Sequence, residues 1–135
     1  MKVEGGCYCG AVRYEASGEP VFNGQCHCRE CQFYSGGNPN VCVAMLESGF
    51  RYTKGAPQKF TRTDIPNAVT REFCANCGTP LLSRAPALAG TVIIKLGTLD
   101  NPTAFGNPQV AIFTVDQQPF HHIAPGMAAF ERMPG

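Results

Sequence analysis

Seven of the eight cysteines in this 135-residue chain are separated from another cysteine by only one or two residues. They fall in three groups: Cys7-Tyr8-Cys9, Cys26-His27-Cys28-Arg29-Glu30-Cys31 and Cys74-Ala75-Asn76-Cys77-Gly78, with Cys42 alone. Thiolates at this spacing can turn toward one point, and a tetrahedral Zn²⁺ about 2.3 Å from each sulfur is what such groups most commonly hold. A disulfide framework is the competing expectation for eight cysteines in a short chain. The opening Met1-Lys2-Val3-Glu4-Gly5-Gly6 has no apolar run of the signal-peptide kind, so reduced thiols are expected. Cysteines one residue apart are also too constrained to bridge each other without strain, whereas both can ligate one ion.

The seven divide as four plus three. Cys7 and Cys9 lie in a Gly-flanked loop, and Cys74 and Cys77 follow a strand and end in Gly78, a residue suited to the turn of a knuckle. Pairing these two knuckles makes a closed structural Cys₄ zinc site that ties together distant stretches of chain. Cys26, Cys28 and Cys31 remain as a three-cysteine zinc site one protein ligand short, and an open position is where a zinc site does chemistry. Cys42, His121 or His122 could complete it as a second structural site. Three thiolates leave the ion with a net charge of about −1, a poor activator of water. Such a site suits an incoming thiol, held as thiolate and presented to an electrophilic carbon.

His27 alternates with two ligand cysteines and is expected to point away from the ion. One of His121 and His122 is expected to be packed and the other exposed. Cys42, between Val41 and Val43, reads as a small buried hydrophobe, and Phe33, Tyr34, Phe120 and Phe130 read as core or pocket wall. Arg29, Arg71, Arg84 and Lys95 are candidates to meet a substrate carboxylate. Arg29 leads them, because inside the three-cysteine segment its charge offsets the thiolates.

The rest of the chain reads as one domain, residues 1–135, able to bury roughly two-thirds of its unfolded surface. Ala11 to Glu15, Phe50 to Lys54 and Lys59 to Thr63 alternate with a period of two, and residues 41–45, 68–73, 91–96 and 110–113 are short β-branched or aromatic runs. Fifteen glycines and eleven prolines punctuate them, so an all-β protein of short antiparallel sheets is expected, with one helical turn over His27 to Tyr34. Eleven basic and ten acidic side chains are mixed along the chain and form no phosphate-binding stripe, so nucleic acid is not an expected partner. No stretch approaches the roughly 18 apolar residues of a membrane helix. A cytoplasmic location is expected.

The Gly6-Cys7-Tyr8-Cys9-Gly10 opening, the Cys26 to Cys31 segment followed by Ser35-Gly36, the Phe73-Cys74-Ala75-Asn76-Cys77-Gly78-Thr79 knuckle and the tail with Phe130-Glu131-Arg132-Met133-Pro134 resemble the glutathione-dependent formaldehyde-activating enzymes, also called the centromere-protein-V/Gfa family. The resemblance covers nearly the whole chain. It implies a β-tent fold, the same division into two zinc sites, and a carbon–sulfur lyase activity in which glutathione and formaldehyde combine to S-(hydroxymethyl)glutathione at the three-cysteine zinc. A non-catalytic zinc module that binds a protein partner, and a redox-sensitive zinc protein, are the alternatives.

Overall fold

The computed structural model describes residues 1–134. Its elements, in chain order, are β1 (Lys2–Gly6), β2 (Arg13–Ser17), β3 (Phe22–Cys26), α1 (Arg29–Tyr34), β4 (Asn40–Leu46), β5 (Phe50–Lys54), β6 (Gln58–Thr61), β7 (Thr70–Phe73), β8 (Pro80–Arg84), β9 (Thr91–Lys95), β10 (Val110–Ile112) and β11 (Ala128–Ala129). The protein is thus all-β with one short helix. No helix among the described residues is long and apolar enough to cross a membrane. The chain gathers into two compact units, one of Met1–Phe22 with Val43–Ala104, the other of Asn23–Cys42 with the chain from Phe105 onward.

In the first unit β1, β2 and β5 form an antiparallel sheet, with Gly5 opposite Tyr14 and Tyr14 opposite Tyr52. Gly5 is obligatory there: a Cβ would lie 2.5 Å from the Tyr14 hydroxyl and 2.3 Å from the Thr98 carbonyl. The strands β6, β7, β8 and β9 pair antiparallel in sequence order. Leu81, Leu82, Val92 and Ile94 are fully buried in β8 and β9, the continuous burial that a sheet covered on both faces requires. Glu72 of β7 is buried as well. Its carboxylate accepts the Tyr52 hydroxyl and Arg84 Nε, each at 2.6 Å, so the buried charge is paired on both oxygens.

The second unit adds parallel pairing to the expected antiparallel strands. β10 runs parallel to β3, with Ile112 opposite Cys26, and parallel to β11, with Val110 opposite Ala128. Parallel partners need a long crossover, and β3 and β10 are separated by most of the chain, so local alternation could not announce the pair. β10 itself reads as a strand at 110–113 in the sequence, whereas β1, β3, β8 and β11 are absent from the strand runs read there. Glycines and polar residues in Lys2–Gly6 and Phe22–Cys26 mask the period of two, and Pro80 opens β8. The helical turn expected over His27 to Tyr34 is α1, starting two residues later. The Cys28 Sγ caps it by accepting the Cys31 N–H.

Candidate metal centres

The first ligand group is built by two tight turns. After β1 the chain reverses through Cys7 N–H to the Val12 carbonyl, and the Val12 N–H returns to Cys7 Sγ at 3.2 Å. After β7 the Gly78 N–H bonds the Cys74 carbonyl and the Cys77 N–H points at Cys74 Sγ at 3.4 Å. Gly78 sits at φ +79, left-handed backbone that glycine adopts without penalty. The Sγ atoms of Cys7, Cys9, Cys74 and Cys77 all lie within 4.8 Å of one another. Cys7 to Cys9 is 3.6 Å and Cys9 to Cys74 is 3.8 Å. A tetrahedron of sulfurs about 2.3 Å from zinc has edges of about 3.8 Å, so the donor set fits Zn²⁺.

Four thiolates around a dication carry a net charge of about −2 and need donors around them. Besides the two backbone N–H groups, Asn76 Nδ2 reaches Cys9 Sγ at 3.2 Å and the Thr79 hydroxyl reaches Cys77 Sγ at 3.1 Å. Thr79 Oγ1 also accepts the Tyr8 N–H at 3.1 Å, linking the two knuckles through one hydroxyl. That hydroxyl is the first cause that pulls the Cys77 thiol down to about 6. Asn76 and Thr79 had no assigned role in the sequence; their place inside and just after the knuckle was the available signal.

The second ligand group comes from the end of β3 and the start of α1. Cys26, Cys28 and Cys31 converge with their Sγ atoms all within 4.8 Å of one another, and no fourth His, Cys, Asp or Glu among the described residues joins them. Cys26 and Cys31 are buried and Cys28 is half-exposed, so the cluster presents Cys28 to solvent. The contacts of Cys26 with Cys28 and Cys31, and then its burial, drive its thiol far up. Without a cation the Cys26 thiol therefore stays protonated, whereas a cation between the sulfurs would favour thiolates, and the donor set fits the three-sulfur zinc site inferred from spacing. All eight cysteines are free of disulfides.

The alternative fourth ligands are elsewhere engaged or outside the group. His121 is buried and uses both ring nitrogens: Nε2 lies 2.7 Å from the Gly37 carbonyl, and Nδ1 lies 2.9 Å from His27 Nδ1 and 3.2 Å from the Gln118 N–H. His122 is exposed, and neither it nor Cys42, buried in β4, belongs to either ligand group. His27 is fully buried and faces His121 and Gln25 Nε2, the latter at 3.0 Å. Burial, and after it the neighbouring His121, hold its pKa below the ordinary histidine value.

Gln32, which had no assigned role in the sequence, ties this segment together. Its Nε2 donates to the carbonyls of His27 at 2.9 Å and Asp116 at 3.0 Å. Its Oε1 accepts Arg29 Nη1 and, at 3.4 Å, Gln118 Nε2. Asp116 further accepts the Arg29 backbone N–H through Oδ2 at 3.3 Å. The turn carrying Asp116 starts at Phe113, whose φ of 56 is left-handed and strained for an aromatic residue. The only signal for Gln32 was its spacing of four from Cys28, one helical turn.

Among the cationic candidates, Arg84 is committed to Glu72 and Glu47, and Arg71 is buried. Arg29 is exposed, with its guanidinium 5.0 Å over the exposed Phe33 ring. Both project from α1 one turn apart, on the helix that carries Cys31. Phe33 and Phe120 are exposed at 76% and 58%, which sets them on the surface and not in the core.

Comparison with known proteins bears on this arrangement. The family model of the glutathione-dependent formaldehyde-activating enzyme matches residues 2–116, which include all seven clustered cysteines. No curated protein sequence matches the chain. Among solved structures, a Rhodobacter sphaeroides protein from a structural genomics programme superposes with a TM-score of 0.60 at 15% identity, covering 94% of this chain and 98% of its own. At that identity the likeness shows the fold alone.

Proposed function

The chain belongs to the glutathione-dependent formaldehyde-activating enzyme family, and from this we propose that it is a zinc-dependent carbon–sulfur lyase whose reactive centre is the Cys26, Cys28 and Cys31 group. The reaction adds a thiol, glutathione or one like it, to formaldehyde or a similarly small aldehyde. A sulfur–carbon bond forms, the carbonyl π bond breaks, and the thiol proton ends on the new hydroxyl oxygen, giving an S-(hydroxymethyl) adduct.

The observation that carries this reading is the inequality of the two ligand groups. One has four thiols and the other three, with no fourth His, Cys, Asp or Glu among the described residues to complete it, and Cys28 is the one member of the three-thiol group that is not buried. Cys26, Cys28 and Cys31 would hold Zn²⁺, which would supply the positive charge that keeps an incoming thiol ionised at neutral pH. The chain's own contribution is to position. Cys26 and Cys31 are buried, so the approach to the site is from the Cys28 side. Arg29, one residue further on, offers its remaining guanidinium N–H groups to a substrate carboxylate, with Phe33 beneath and Gln32 fixing one corner.

The protein carrying two zinc ions should accelerate the exchange between glutathione, formaldehyde and their adduct, followed by magnetisation transfer, well above the buffer rate. An exchange rate equal to buffer, for this and for related thiols and aldehydes, would overturn the proposal. Arg29→Met keeps an unbranched side chain at this position and removes the charged group that lies over Phe33 and bonds Gln32. A charge-assisted hydrogen bond of about 1.5–3 kcal/mol made equally by substrate and transition state is lost, so KM for the thiol should rise at least about tenfold with kcat little changed. An unchanged KM would remove Arg29 from the site.

A further inference from the structure

The two buried histidines beside the three-cysteine group have a determinate hydrogen-bond polarity. The Gly37 carbonyl can only accept, so His121 carries its proton on Nε2. Its Nδ1 is therefore an acceptor, and it receives the Gln118 N–H and the Nδ1–H of His27. On the far side of His27, Gln25 Nε2 also donates to the His122 carbonyl at 2.9 Å, which fixes that amide as the donor and His27 Nε2 as the acceptor. Every ring nitrogen is satisfied with both rings neutral, so neither ring has a lone pair left for a metal.

The same bonds close into a ring. From His27 the path runs through His121 to the Gly37 carbonyl. The Gly37 N–H returns to the Gln32 carbonyl at 2.8 Å, and the Gln32 side chain returns to the His27 carbonyl. The ring thus starts and ends on the residue between Cys26 and Cys28, and takes in the far end of the segment one residue after Cys31. The His27 N–H is also held, by the Ile112 carbonyl at 2.9 Å. Buried ring nitrogens need partners in any case; here the partners belong to the residues that bracket the cysteine segment.

We propose that His27 and His121 are positioning residues for the three-cysteine metal site, their mutual bond closing the ring that holds the Cys26, Cys28 and Cys31 thiolates within reach of one ion. The inference rests on the reading of those cysteines as metal ligands. Residues that orient metal ligands without binding the ion are typically worth roughly ten- to a hundredfold in metal affinity.

Two replacements of nearly equal polarity separate the bond from mere bulk. His27→Asn puts an amide N–H near the position of Nδ1 and keeps the bond to His121. His27→Gln puts its amide near Nε2 and loses that bond. Affinity for each of the two zinc ions is measured by chelator competition, and the sites are told apart by the thiolate-to-cobalt charge-transfer bands of Co²⁺-loaded protein, with Cys28→Ser as the marker of the second. His27→Gln should weaken the second ion by roughly ten- to a hundredfold, with altered cobalt bands, and His27→Asn should stay close to wild type. The first ion should be bound equally tightly in all three proteins. Equal affinity of the two variants for the second ion overturns the inference. A wild-type protein that takes up only one ion overturns the reading of the three cysteines, and this inference with it. If a His27 variant does not fold, as read from loss of the first ion, His121→Leu replaces it. A His121→Leu protein that binds the second ion as tightly as wild type overturns the inference too.

Discussion

Replacing Cys74 with serine should lower the melting temperature of the zinc-loaded protein by about 15 °C and reduce its zinc content from two ions per chain to at most one. Cys74 is 1% exposed and is bound at three points, by the Cys77 N–H at its sulfur, by the Gly78 N–H at its carbonyl and through its own N–H to the Thr79 carbonyl. Its sulfur lies 3.8 Å from that of Cys9, 65 positions away in sequence, so an ion held between them closes a long loop of the first unit. Metal binding at a structural thiolate site is folding free energy, about 10–16 kcal/mol in small zinc peptides. Losing one thiolate of four forfeits a large part of it, and a loss of about 4 kcal/mol is already exceptional for a single substitution. For a chain of this length that corresponds to a fall of about 15 °C. Differential scanning calorimetry with zinc analysis on the same samples measures both quantities. A Cys74→Ser protein that melts as wild type and keeps two ions would show that this group does not hold the fold.

Cys28→Ser should have the opposite profile: turnover falls to the buffer rate, a loss of about a thousandfold or more, while the melting temperature shifts by only a few degrees. The fold survives because serine can still do what the Cys28 sulfur does locally. Cys28 caps α1 by accepting the Cys31 N–H at 3.3 Å, and a serine hydroxyl is among the best N-caps. The chemistry does not survive because two thiolates and a neutral hydroxyl no longer form a competent ligand set. A thousandfold corresponds to about 4 kcal/mol of barrier, within the several kcal/mol that a metal ion contributes to such a step. The exchange assay, zinc analysis and thermal melting together test it. Near-normal turnover in Cys28→Ser would take the reactive centre away from this group.

The cysteine spacing made most of both ligand groups legible in advance, since residues one or two apart in a turn necessarily share a neighbourhood. The alternating runs from Phe50 to Lys54 and the β-branched Thr91 to Lys95 were legible for the same local reason. What escaped was non-local. Asp116 meets Gln32 and the Arg29 N–H from 84 and 87 positions away, and His121 meets His27 from 94. Nothing in Thr114-Val115-Asp116 or Gln117 to His122 marks those residues as neighbours of a cysteine segment. The strand β10 was legible in residues 110–113, but its parallel pairing to β3 depends on a return of the chain that no local pattern encodes. The exposed Phe33 and Phe120 follow from the same limit: an aromatic residue looks like core until the packing around it is known.

The amino-acid order therefore dictated a mostly β protein with four thiols in one group and three in another, each able to hold a metal ion, because ligand type and spacing are properties of the chain itself. The fold had to supply everything that depends on separation in space. It left the three-thiol group without a fourth protein ligand among the described residues, turned both nitrogens of His121 to His27 and Gly37, committed Arg84 to the buried Glu72 and left Arg29 at the surface beside Cys28. The physical reason is the range of the forces involved. A turn is set by a few adjacent dihedrals, whereas a buried polar group must find its partner wherever the packed chain brings one.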